Sequence, residues 1–421
     1  MRALLRLILT CLLLAGGLPP AAAEDLPPLT LPECYRLALK RSEEIAIRGE
    51  VIKETEGRFL QALSTALPNA SFVLSEKRQD GSGGSIFTLE SIPERRFAFS
   101  QPLFSGFKEF AAIAGSRSER RQREHERTRA EQLLFVDVAE AFHLLLQQRE
   151  DLRALETIRS ALVERAEELR ERERLGRSRT SEVVSAESQL HRVVAEQAFV
   201  SGQEQTARQL LAFLIGRDPG EGLSDAGLGL PVLADRAVYL SAAATRPDVL
   251  ASEEAWKFAK KEVAVERAGF WPGVDLESNY YTKRVGVAAD VDWDVLVTVD
   301  VPIFQGGEVV GAVREAASKA RQAKLAHDLA GREAVLDVEN TYNELAAALQ
   351  RSTALAGALA AAEEDYRLQL EDYRRSLINN LDVLQVLQTL QDTRRDEIRA
   401  RHEAHRLYWR LLAETGEALS P

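Results

Sequence analysis

Two periodicities divide this chain. Between positions 291 and 301, Val291, Trp293, Val295, Val297, Val299 and Val301 alternate with Asp292, Asp294, Leu296, Thr298 and Asp300. This period of two predicts a strand with one apolar face and one mostly polar face. Val274, Leu276, Ser278 and Tyr280, set against Asp275, Glu277, Asn279 and Tyr281, predict its partner, with a turn near Gly286. Phe72 and Leu74, then Phe97 and Phe99, predict a weaker pair of strands around the Gly/Ser-rich run 79–85.

The rest of the chain follows a helical period. From 107 to 175 there is no Pro and one internal Gly, and Leu134, Val138, Ala141, Leu145, Leu152, Leu155 and Leu162 recur three, four or seven apart. Such spacing makes a coiled-coil seam. At 1.5 Å per residue the helix would run on the order of 100 Å. The chain must reverse near Gly176, and the helix ending at Leu214 covers little more than half of that length. An opening helix at 31–67 supplies the remainder if the two short helices stack end to end. A second set repeats this arithmetic: a long helix from Gly307, a turn near Ser376, and short helices at 381–415 and 237–270. The expected fold is mainly α with a small β part, built of long antiparallel coiled-coil helices.

That second set is a copy of the first. At an offset of 200, Gln101-Pro102-Leu103-Phe104-Ser105-Gly106 answers to Val301-Pro302-Ile303-Phe304-Gln305-Gly306, and Arg121-Gln122 to Arg321-Gln322. The register continues through Asp137-Val138 and Asp337-Val338, Glu182-Val183 and Asp382-Val383, Leu211 and Leu411, Gly216 and Gly416. One register held over more than 100 residues marks an internal duplication. Asp218-Pro219-Gly220, Gly222, Gly227, Gly229 and Pro231 break helix between the copies. The expected organisation is a leader at 1–23, a first repeat at 24–216, a linker at 217–236 and a second repeat at 237–421.

The leader is read from Arg2 and Arg6, the apolar run 7–14 and the small-residue site at Ala21-Ala22-Ala23, the plan of an exported precursor. Cys11 lies within it, so the exported chain would hold one thiol, Cys34, and no intramolecular disulfide. No later stretch approaches the roughly 18 apolar residues of a membrane helix, so any crossing of a bilayer must use strands. Strands of about 9 to 11 residues suit a tilted crossing, and Trp271, Tyr280, Tyr281 and Trp293 could mark its interfaces. Soluble sheets alternate in the same way. If these strands do span, four cannot close a barrel, since the smallest membrane barrels have about eight, and several chains are needed.

Composition removes other functions. The 65 acidic residues exceed the 54 Lys and Arg, for a formal charge of -11, which argues against a nucleic-acid binder. Two Cys, six His and one Met are too few soft ligands for a zinc module, and no metal or cofactor is expected. Arg-dense stretches at 117–129 and 164–179 interleave Glu at helical spacing and predict intrahelical ion pairs. His402 and His405, one turn apart without a metalloenzyme signature, are expected on a wet helix surface. Gly81-Ser82-Gly83-Gly84 lacks the Gly-Lys of a phosphate loop and is expected at a hairpin tip. No nucleophile elbow or dinucleotide fingerprint is present, so no enzyme activity or catalytic residue is expected.

The sequence resembles the TolC-like outer-membrane efflux proteins over the whole exported chain. The marks are 101–106 entering a long helix, Leu175-Gly176-Arg177 with Thr180 and Val183 at the reversal, Leu67-Pro68 opening a strand, and the doubling of the plan. The resemblance implies a homotrimer in the cell outer membrane with a large periplasmic portion. Its twelve strands would form a shared transmembrane β-barrel and its twelve helices an α-barrel tunnel. Such a protein is a passive exit duct for a tripartite efflux or type I export system, fed by a periplasmic adaptor and an inner-membrane pump. Carried over residue by residue, the adaptor would meet Gly176, Arg177, Thr180 and Ser181 at one tip. At the other it would meet Ser376, Asn379, Asn380 and Leu381, where Ser376 replaces the usual Gly. Asp382 corresponds to the first of two acidic rings at the tunnel mouth, and Gln385 stands where the second would be. Three Asp382 side chains about 6 Å apart would repel by roughly 3 kcal/mol per pair at an effective dielectric near 20; as an N-terminal helix residue, Asp382 also has a purely structural explanation. The alternative function is a periplasmic coiled-coil scaffold without a channel.

Overall fold

The computed structural model describes residues 29–80, 89–220, 222–224, 229–375 and 377–416. The expected leader with Cys11, the 81–84 run and Ser376 lie outside them. In chain order the elements are α1 (Leu31–Arg41), α2 (Glu43–Ser64), β1 (Asn69–Arg78), β2 (Ser91–Ser105), α3 (Lys108–Arg174), α4 (Thr180–Ile215), α5 (Arg236–Ala243), α6 (Pro247–Arg267), β3 (Gly273–Lys283), β4 (Trp293–Asp300), α7 (Glu308–Arg374) and α8 (Asn380–Glu414). A 3-10 turn, Ala268–Phe270, leads from α6 towards β3. The molecule is mostly helical with one four-stranded antiparallel sheet in the order β1-β2-β3-β4.

The long helices α3 and α7 are each 67 residues, about 100 Å. Near the sheet the helices lie side by side as α2-α3-α6-α7, and towards the reversals as α4-α3-α8-α7. Strands and helices thus keep one lateral order, with the second repeat beside the first. Equivalent core positions match across the duplication: Val138 and Val338, Leu145 and Leu345, and Leu211 and Leu411 are all fully buried. The linker is tied down at its start. Leu29 bridges to Leu223, with the Leu29 amide donating to Gly222 O at 2.7 Å, and Arg149 Nη2 donates to Gly220 O at 2.6 Å.

Each opening helix is two helices, not one. The first breaks at Ser42, whose backbone is extended and whose side chain caps α2 by accepting from the Ile45 amide. The second breaks before Pro247, whose ring pushes Arg246 out of the helical region, to ψ 136. Strand β4 also begins later and ends earlier than 291–301. The Val291 amide is engaged by Ala288 O in the preceding turn, and Val301 would face Pro272, which has no N–H to offer. In the first repeat β2 runs on through Gln101-Pro102 to Ser105, with a bulge between Pro102 and Phe104 that accommodates the missing proline donor. The junction into α3 turns through Gly106 and Phe107, both at φ 65; the equivalent junction uses Gly306 and Gly307. Phe107 accepts this rare conformation with its ring packed edge-on against Phe104 at 5.2 Å.

Candidate functional site: the sheet face and the helix-reversal end

Cross-strand register places side chains on two faces. Phe72 pairs with Phe97, Phe97 with Tyr280 and Tyr280 with Trp293, giving a row of four aromatic residues across all four strands. The Phe72 and Phe97 ring centroids are 4.8 Å apart. All four are exposed, Trp293 at 65%. On the same face, towards the helices, lie Phe99, Val274, Leu276, Val295, Val297 and Val299, and Trp271 is exposed just before β3. From Trp271 to Tyr280 the chain advances about 30 Å, or about 21 Å in height at the 45° tilt of a membrane strand, against an apolar band of about 25 Å in such barrels. Exposing a largely apolar face, interrupted by Ser278 and bounded by aromatic residues, is what lipid contact requires and what water penalises.

The opposite face is polar. Tyr281 belongs there, not with the interface aromatics: it is 8% exposed, its hydroxyl donates to Asp294 Oδ2 at 2.8 Å, and the Arg284 guanidinium lies 4.1 Å over its ring. Period two forces the correction, since adjacent Tyr280 and Tyr281 must point oppositely. Asn279 also donates to Asp294 (2.8 Å), and Arg96 pairs with Glu94 (2.8 Å). Strands β1 and β4 each leave one edge unpaired within the chain.

At the far end the two helix reversals share their backbone closure. The Arg177 amide donates to Arg172 O (2.7 Å) and the Leu377 amide to Asp372 O (3.0 Å), the six-to-one bond that ends a helix in a left-handed turn. Gly176 takes φ 67 there. Gly176, Arg177, Thr180, Ser181, Asn379 and Leu381 are exposed. Asn380 is not: it is 1% exposed, its Oδ1 accepts from Arg165 Nε at 2.8 Å, and the Arg165 guanidinium stacks 3.6 Å over Tyr373. It fastens α8 to α3 rather than facing outward. Asp382 closes a capping box with Asn379: the Asp382 amide donates to Asn379 Oδ1, and the Asn379 amide to Asp382 Oδ2, both at 3.2 Å. Gln385 lies one turn on and is exposed.

Charged and imidazole groups join the repeats inside the wall. Arg395 of α8 holds Asp151 of α3 through two bonds (2.6 and 3.0 Å) and Glu196 of α4 at 2.7 Å, with Asp151 and Arg395 both buried. His402 and His405 are 2% and 3% exposed, so they are not on a wet surface. They pack on the fully buried His143 of α3, His405 stacked at 5.1 Å and His402 Nδ1 at 3.4 Å from His143 Nδ1. The Trp409 indole, which can only donate, reaches His143 Nε2 at 3.2 Å. His143 therefore carries its proton on Nδ1 and gives that hydrogen bond to His402, whose Nε2 lies 3.4 Å from Glu150 Oε1. Burial, with His402 and His405 adding to it, pushes His143 down to about 2; burial likewise takes His405 to about 4. In sequence His143 stands 259 positions from His402, and only the α3–α8 contact reveals the group.

Cys34 is fully buried in α1, and burial pushes its thiol up to about 12. Among the described residues no grouping of His, Cys, Asp and Glu is suited to a metal ion, and no helix is long and apolar enough to cross a membrane.

The outer membrane efflux protein family model matches residues 238–417, the second repeat. The outer membrane efflux protein BepC of Brucella suis biovar 1 is 24% identical over 325 residues, 75% of this chain and 70% of BepC. The outer membrane protein VceC of Vibrio cholerae has a TM-score of 0.79 at 20% identity, over 93% of this chain and 97% of VceC. The CmeC outer membrane channel of Campylobacter jejuni has a TM-score of 0.79 at 15% identity, over 96% and 91% of the two chains. The family model thus matches the second copy of the plan, and the fold of these outer membrane channels extends along nearly the whole chain.

Proposed function

We propose that this protein is the outer-membrane exit duct of a tripartite efflux or type I export system, conducting substrates passively to the exterior. The observation that carries the reading is the sheet. One face is apolar and aromatic from edge to edge yet exposed, and both outer strands have an unpaired edge. Lipid would cover the face and further copies the edges. Three chains supply twelve strands, enough to close a barrel, and the matching lateral order of the helices would continue the same ring as a periplasmic tunnel. Energy and cargo would come from an inner-membrane pump through a periplasmic adaptor docked at the helix reversals. Asp382, with Gln385 beside it, would line the mouth of the tunnel. No catalytic step is required of any residue.

Fractionation and conductance test this. The protein should need detergent for extraction from outer membranes, migrate as a heat-sensitive trimer, and pass steady small currents in planar bilayers. Divalent cations should reduce the current, and Asp382→Asn should remove that blockade. Unchanged blockade in Asp382→Asn would sink the aperture assignment. Release of a monomer by osmotic shock would sink the duct itself and favour a periplasmic coiled-coil scaffold.

A further inference from the structure

Just below the sheet, the second repeat carries opposite charges on the two sides of its wall. Gly269 packs on Val309 of α7, where an added Cβ would come within 3.1 Å, so the upper ends of α6 and α7 lie at one level. On one side Glu262 and Glu266 of α6 interact with Lys319 of α7, which also pairs with Glu315 at 2.7 Å. A cleft of about 280 Å³ lined by Lys108, Glu266, Glu308, Ala312 and Gly273 carries this acidic side up to the polar face of the sheet, since Gly273 shares the face of Asp275. The other side is basic. At helical spacing it presents Lys260 and Arg267 of α6 and Val310, Arg314, Arg321 and Lys324 of α7, all exposed. None of these five cations forms an ion pair among the described residues; Lys260 and Lys324 instead share the Trp256 ring, their Nζ atoms 4.0 and 5.8 Å from its centroid. The acids on this side are Glu253 and Glu254, which Lys257 holds at 2.9 and 2.8 Å, and Asp328, one turn beyond Lys324. The first repeat has no such patch. Aligning Leu67-Pro68 with Trp271-Pro272 puts Glu56 and Leu63 in the places of Lys260 and Arg267. The offset of 200 puts Ala114, Arg121 and Glu124 in the places of Arg314, Arg321 and Lys324, with Arg121 already held by Glu254 at 2.8 Å.

We infer that this basic side binds the anionic head groups of phospholipids in the membrane leaflet nearer the helices. The inference rests on the duct reading, which puts lipid on the apolar sheet face, and adds a lipid class and a place. The heights agree. Arg267 is four residues before Trp271, about 6 Å lower, and Arg314 is one turn below the exposed Val310, which continues the apolar face. On flexible stems both guanidinium groups reach the head-group layer, which extends about 5–7 Å beyond the hydrocarbon, and each can take two phosphate oxygens at once. Lys260, Arg321 and Lys324 lie two or three turns lower and act through the potential they add. Four or more Lys and Arg clustered beside a membrane-spanning segment select anionic lipid. An acidic soluble polymer would not need the patch to begin where the apolar face ends.

The test uses the full-length protein in neutral detergent, exposed to an equimolar mixture of phosphatidylglycerol and phosphatidylcholine, with the lipids that co-purify quantified by mass spectrometry. At about 50 mM salt phosphatidylglycerol should be retained about tenfold over phosphatidylcholine, and at about 500 mM the two should converge. Arg267→Glu with Arg314→Glu should abolish the preference, and Arg267→Lys with Arg314→Lys should keep most of it. Lys108→Glu with Lys319→Glu, an equal charge change on the acidic side, should leave it intact. Retention of neither lipid, equal retention of both, a preference that survives charge reversal at Arg267 and Arg314, its loss in the Lys108 and Lys319 variant, or displacement of phosphatidylglycerol by an equal concentration of inorganic phosphate or polyglutamate would each overturn the inference. The salt series needs no variant, so it decides the matter even where a substitution prevents assembly. Conductance in phosphatidylcholine bilayers separates the two levels. A conducting protein without the phosphatidylglycerol preference loses the inference and keeps the duct, whereas a protein that never conducts loses the duct.

Discussion

The first and second repeats share a wall and differ at its ends. Both have a long helix of 67 residues and the same bond closing the reversal, and they share buried positions such as Val138 and Val338 or Leu145 and Leu345, although α3 buries many residues, Phe135 and Leu155 among them, whose counterparts on α7 are not buried. Yet β2 has 15 residues where β4 has 8, Phe107 stands where the second repeat has Gly307, and Arg179 where it has Asn379. His143 has Asn343 as its counterpart. Duplication conserved the geometry that packs helix on helix, and the copies differ at the sheet, at the junctions into the long helices, at the cap of the reversal and where one copy packs on the other. The two seams between repeats, Asp151–Arg395 and His143–His402, use residue types that neither copy repeats at the equivalent position.

The strongest test of that division is to break a seam. Arg395→Met leaves Asp151 buried without its bidentate partner and should cost about 3–5 kcal/mol. Arg394→Met, which loses only an exposed pair with Glu363, should cost less than about 1 kcal/mol. Urea unfolding of the detergent-solubilised protein reads both. Equal losses would mean that the seam is no more critical than the surface.

Next comes the sheet. Val297→Lys places a charge on the outward face of β4, and Thr298→Lys places the same charge on the polar face. In a membrane barrel the first should cost about 2–4 kcal/mol near the bilayer centre and lose heat-modifiable assembly, while the second should assemble normally. Similar behaviour of the two variants would show that the apolar face meets no lipid.

Much of this was legible in the chain itself. Periodicity and the offset of 200 give the strands, the long helices and their reversals, because each signal is local or repeats in register. The signals missed were of two kinds. Ser42 and Pro247 are ordinary helix-start residues, and because the helical pattern resumes directly after each of them the break leaves no gap in the periodicity. Tyr281, Asn380, His402 and His405 needed tertiary information: the direction of a side chain in a set register, or a partner more than 200 positions away on α3. An isolated His pair on a charged helix gives no sign that Trp409 and His143 enclose it.

The imidazole seam should reveal itself through pH. His143 and His405 are held below their unfolded value near 6.5, so the unfolded chain binds more protons as pH falls, and the stability they contribute is present above about 6.5 and declines below it. Each such proton is worth about 1.4 kcal/mol per pH unit. His143→Gln, which can still accept from Trp409 and donate to His402, should therefore flatten the loss of stability between pH 6 and pH 4 by roughly one proton. An unchanged slope would remove His143 from the acid response.

The smallest expected effects lie at the reversals, where the repeats can be converted into one another. Asn379→Ala removes both side-chain acceptances that open α8 and breaks the capping box with Asp382, a loss of about 0.5–2 kcal/mol. Arg179→Asn supplies α4 with the cap it lacks and should stabilise that turn by a similar or smaller amount, up to about 1 kcal/mol. Urea unfolding midpoints of the two variants read both effects, which should be opposite in sign. A midpoint left unchanged by Arg179→Asn would show that Glu182 already satisfies the first turn of that helix.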